Sequence, residues 1–84
     1  MYNNNETDNP TYYITIDPEN KAPGVLCGIM NRISLYLTEN GGHVELDSYG
    51  VDYTFGKMSF KLDNNPDPDT VLCYISSLPG VKFL

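Results

Sequence analysis

Between Ala22 and Gly42 the large apolar residues recur at helical spacing, and this run restricts the fold more than any other part of the chain. Leu26, Met30, Ile33 and Leu37 follow one another at intervals of four, three and four, which stacks them on one side of a helix. Val25 and Ile29 widen the stripe, while Asn31, Arg32 and Glu39 lie off it and face water. Pro23 suits the first helical turn, where its missing N–H has no partner to lose. Gly41 or Gly42 can take the left-handed conformation that ends a helix. A helix with one oily side must bury that side against something, and the flanking segments supply strands.

Tyr12–Asp17 reads as a first strand, with Tyr12, Ile14 and Ile16 pointing one way and Tyr13 and Thr15 the other. His43–Tyr49 alternates as a second strand, with Val44, Leu46 and Ser48 on one face and His43, Glu45, Asp47 and Tyr49 on the other. Tyr53–Leu62 forms the third, with Met58, Phe60 and Leu62 inward and a bulge at Gly56 to absorb the out-of-phase Phe55. Asp67 then caps a second helix with Pro68 at its first position and Asp69 in its first turn. Val71, Leu72, Ile75 and Leu78 form its apolar face, Pro79-Gly80 stops it, and Val81–Leu84 is a short last strand. The order strand–helix–strand–strand–helix–strand predicts an α+β, ferredoxin-like βαββαβ fold, a four-stranded antiparallel sheet with two helices on one face. The reverse face is expected to be polar, with Glu45 and Asp47 meeting Lys57, Ser59 or Lys61 across strands.

Met1–Pro10, rich in Asn with Glu6 and Asp8, reads as an extended or disordered leader to a single domain over residues 11–84. No run approaches the about 18 apolar residues that span a bilayer, and no export signal opens the chain. Cys27 and Cys73 both fall in predicted helices; a disulfide between them requires those helices to pack closely in register, and the simpler reading is two reduced thiols, which fits a cytoplasmic protein. A net charge of −6 repels phosphate backbones, so direct nucleic-acid binding is disfavoured, and it attracts basic partners.

The first strand ending near Asp17, the segment Ala22-Pro23-Gly24-Val25-Leu26 and the closing Ser77-Leu78-Pro79-Gly80-Val81 resemble the ACT domain family over about Tyr12–Leu84. That resemblance implies a non-enzymatic regulatory module that pairs as a homodimer and binds a small ligand such as an amino acid. It places the ligand at the first strand-to-helix loop, here Asn20, Lys21, Ala22, Pro23, Gly24 and Val25. A physical reason runs parallel: Gly24 lets a ligand approach the backbone, and the N–H groups of a first helical turn hold a carboxylate. The alternative for the same residues is that Pro23-Gly24 only starts a helix.

Catalytic chemistry has little to build on. His43 is the one histidine, and with Glu45 and Asp47 it reads as part of a polar strand and not as a metal site. Asp63–Asp69 lacks the glycine and the final acid of a calcium loop, with Pro68 and Tyr74 in those places. Ser76-Ser77 has no base beside it in sequence. Neither a catalytic residue, a metal nor a cofactor is expected. Aromatic strands of RNA-binding folds share the element order, and Tyr13 with Tyr53 or Phe55 could stack bases, but the acidic balance opposes it. The second functional expectation is a small acidic interaction protein, similar to phage-type, anti-CRISPR-like inhibitors that block the basic groove of a nucleic-acid-binding protein. Its acidic side chains would be Glu39, Glu45, Asp47, Asp52, Asp63, Asp67 and Asp69.

Overall fold

A computed structural model of the 84-residue chain describes residues 9–63 and 65–84. The expected leader therefore lies, up to residue 8, outside the described residues. The elements are β1 (Thr11–Ile16), α1 (Val25–Glu39), β2 (Gly42–Tyr49), β3 (Gly56–Leu62), α2 (Pro68–Ser76) and β4 (Val81–Phe83). The strands form one sheet in the order β2-β3-β1-β4, antiparallel at every pairing, which is the ferredoxin-like α+β arrangement.

The alternation in β1 and β3 sends Ile14, Ile16, Met58, Phe60 and Leu62 to one side of the sheet. There they meet Leu26, Met30, Ile33 and Leu37 of α1 and Val71 and Ile75 of α2 in a single core. Phe60 is fully buried at its centre, stacked on Tyr12 at 5.5 Å between ring centroids and edge-on to Phe83 at 6.3 Å. Tyr36 of α1 and Tyr74 of α2 stack at 4.0 Å, which sets the two helices side by side over the same face. Asp67 caps α2, with its carboxylate accepting from the Thr70 N–H and hydroxyl. Cys27 and Cys73 are free and exposed.

Three details depart from expectation. Pro23 precedes α1 and does not occupy its first turn; the chain enters the helix through Gly24, whose φ of 88° is left-handed. The third strand begins only at Gly56, because residues 50–55 close a tight turn in which Gly50 N donates to Phe55 O at 2.6 Å. The bulge lies at Glu45 in β2 and not at Gly56, since Val44 stands opposite Phe60 while Leu46 stands opposite Ser59.

The bulge reverses the faces of the rest of β2. Leu46 is 73% exposed on the outer side of the sheet, Ser48 joins it opposite Lys57, and Asp47 and Tyr49 move to the helix side opposite Met58 and Gly56. Glu45 and Asp47 consequently make no cross-strand pair with Lys57 or Lys61. The reason is a parity conflict. Val44 packs on the core and Tyr49 lies beside Cys27 of α1, yet the two are five residues apart. A strict two-residue period sends such a pair to opposite faces, and one extra residue lets both reach the helices.

Candidate functional site

The Asn20–Val25 loop is held at both ends. Asp17 N donates to Gly80 O at 2.8 Å, fixing the end of β1 against the start of β4. Asn20 Oδ1 accepts from Ala22 N at 2.9 Å, an Asx turn just before Pro23-Gly24. Val25 N donates to Ala22 O at 3.1 Å. No side chain caps α1, so the N–H groups of its first turn have no side-chain acceptor. Lys21 pairs with Asp17 and also donates to Thr54 O at 3.5 Å, joining the loop to the β2–β3 turn.

That junction encloses a cavity of about 290 Å³ between Lys21, Ala22, Pro23, Gly24 and Cys27 on one wall and Asp52, Tyr53 and Thr54 on the other. A second recess of about 480 Å³ lies on the far side of the loop, against Glu19, Asn20, Val25 and Arg32. The six loop residues are thus divided, with Gly24 bordering both spaces. Thr54 donates to Asp52 Oδ1 from its hydroxyl at 2.7 Å and from its backbone N–H at 3.2 Å. Those bonds, the hydroxyl first, hold the Asp52 carboxyl below the usual aspartate range. The Cys27 thiol beside Tyr49 pushes the phenol above its ordinary value, with desolvation and Asp47 adding to it. The cavity therefore has the α1 N-terminus on one side and the Asp52 carboxylate on the other, with Lys21, paired to Asp17, reaching across to Thr54 O.

Among the acidic candidates, Asp52 alone belongs to this cavity. Glu39 ends α1, Asp67 and Asp69 open α2, and Asp63 follows β3, while Glu45 lies in β2 near His43. His43 joins two of these, through Nδ1 to Asp63 Oδ2 at 2.5 Å and Nε2 to Glu45 Oε2 at 3.9 Å. Asn65 donates to Asn40 O and accepts from Asp67 N, bringing the α2 start beside the α1 end. Asp47 sits apart on β2. No group of three or more His, Cys, Asp or Glu side chains arranged to hold a metal ion occurs among the described residues. Ser76 and Ser77 donate to the carbonyls of Cys73 and Tyr74 in the last turn of α2.

Reading the sequence by motif missed Cys27, Tyr53 and Thr54 as walls of the cavity. The spacing Asp52-Tyr53-Thr54, an acceptor two residues before a hydroxyl donor, was the available signal. No described helix is long and apolar enough to cross a membrane. Comparison with family models, curated proteins and solved structures gives no match to this chain.

Proposed function

We propose that this chain is a non-enzymatic binding module for a small zwitterionic ligand such as an amino acid. The observation that supports this most is the cavity between the β1–α1 loop and the β2–β3 turn, which brings the α1 N-terminus and Lys21 together with Asp52. A ligand carboxylate is matched by the first-turn N–H groups of α1 beyond Val25 and by Lys21, which would share its charge with Asp17, and a ligand ammonium by Asp52. Gly24, open to approach with nothing within 4 Å of a notional Cβ, leaves room for the ligand backbone. The resemblance to ACT domains favours the same loop and adds that two copies pair, which sedimentation tests directly.

The deciding experiment is a thermal-shift series over the common amino acids, each with its amine-only and acid-only analogue. A ligand that binds only the folded state raises Tm with its concentration. The reading requires a shift from a zwitterion that neither analogue reproduces and that Asp52→Asn removes. Flat melting across the whole series defeats it.

A second reading has its own support. Glu45 and Asp63 joined by His43, and Asp67 and Asp69 at an α2 start that Asn65 ties beside Glu39 at the α1 end, favour an acidic interaction protein that occupies a basic groove on a nucleic-acid-binding partner. Binding to an oligoarginine peptide that weakens with salt and with charge reversal at Asp63 and Asp67 would favour this reading over the first.

A further inference from the structure

The outer face of the sheet carries a charge opposite to that of the chain as a whole. The protein has five Lys and Arg residues against eleven Asp and Glu. Three of the five, Lys57, Lys61 and Lys82, stand on this face, opposite Thr15, Thr11 and Thr15 of β1. None of the three lies within ion-pairing distance of a carboxylate among the described residues. The nearby acid, Glu45, accepts from Thr11 Oγ1 at 3.2 Å and lies by His43 at the margin.

Between these lysines runs an apolar row. Leu46 and Tyr13 both stand opposite Ser59, and Leu84 N donates to Tyr13 O at 2.9 Å. Leu46, Tyr13 and Leu84 are 73%, 56% and 79% exposed, whereas Ser59 beneath them is buried. They surround a hollow of about 150 Å³ with Ser48 and Lys57 at its margin.

We infer that this face docks an acidic segment of a partner protein that carries one bulky apolar side chain, seated in the hollow, with its carboxylates on Lys57, Lys61 and Lys82. Charge complementarity selects the acidic partner, and the hollow selects the anchor. A second copy brought face to face by a two-fold axis would set these lysines against one another. A nucleic-acid strand would find a single ring to stack on, Tyr13, between two leucines, where base-stacking surfaces present successive aromatic rings. The surface is separate from the loop cavity, so it stands or falls independently of the small-ligand reading.

The test uses the full chain and a short fluorescent peptide of aspartates and glutamates with one central phenylalanine. Its controls are the same peptide with alanine at the centre, the same peptide with lysines for the acids, and an oligothymidine strand. The phenylalanine peptide is expected to bind at least about tenfold more tightly than either peptide control, with affinity that falls as salt rises. Lys57→Glu and Leu46→Asp, both at exposed positions, should each weaken it by about tenfold. Amide shift changes on binding should centre on Tyr13, Leu46 and Ser59 and spare Asn20–Val25. Equal binding of all three peptides, tighter binding of oligothymidine, or shift changes elsewhere on the molecule would each overturn the assignment. Leu46→Ser and Lys82→Glu repeat the measurement if either first variant melts below the parent.

Discussion

Leu46 and Ser59 face each other across β2 and β3 on the outer side of the sheet, although Val44, two residues earlier in β2, faces the core. The extra residue, Glu45, makes both placements compatible. Leu46→Ala should therefore change stability by less than about 0.5 kcal/mol, the range of ordinary surface substitutions. Val44→Ala should cost about 1 kcal/mol through lost burial. Deleting Glu45 should leave Leu46, Ser48 and Tyr49 on their present faces in a regular ladder. Urea denaturation and a cross-strand contact between Leu46 and Ser59 by NMR check these outcomes.

Phe60 concentrates the core. It is fully buried between Tyr12 and Phe83 on a central strand, so no exposed space allows collapse around a cavity. Phe60→Ala should cost about 3–5 kcal/mol, a large share of the about 5–15 kcal/mol typical of a folded domain. Denaturant midpoints report it, and near-UV dichroism should show lost aromatic packing.

Two left-handed glycines separate backbone strain from steric clash. Gly24 has φ of +88° with open space around it, so Gly24→Ala carries only the conformational cost, about 1 kcal/mol. Gly80 has φ of +80°, and a Cβ there would lie 2.7 Å from Asp17 O. Gly80→Ala must also push β1 from β4, at the bond between Asp17 N and Gly80 O, and should cost more than about 2 kcal/mol. Thermal melts of the two variants side by side test the order.

Asp52 gives the β2–β3 turn a pH dependence of known sign. Its folded-state value is depressed by Thr54, so the ionised carboxylate stabilises the fold fully above the unfolded value of about 3.9. That contribution fades as pH falls through the lower, folded-state value. Carboxyl carbon shifts should show Asp52 titrating below about 3.9, and Thr54→Val should move it upward. Asp52→Asn should remove this component from the acid limb of the stability curve.

Much of the fold was legible because local periodicity and burial agree in most elements. Leu26, Met30, Ile33 and Leu37 at helical spacing, and Met58, Phe60 and Leu62 at strand spacing, each have one self-consistent placement. Asp67 before Pro68 marked the α2 start for an equally local reason, the side chain reaching Thr70. The Asn20–Val25 loop was visible from its glycine and proline, but its opposite wall was not. Asp52, Tyr53 and Thr54 lie some thirty residues along the chain and reach Lys21 only once the sheet has formed.

The chain's own pattern determined the element order, the two oily helix faces and the residues that fill the core, since these follow from spacing along a single segment. Tertiary structure alone decided where β2 changes face, because that required Val44 to answer to Phe60 and Tyr49 to answer to Cys27 at once. No local window contains both demands. The same step carried Leu46 out among the lysines of the outer face, and that surface exists only where four strands lie in register.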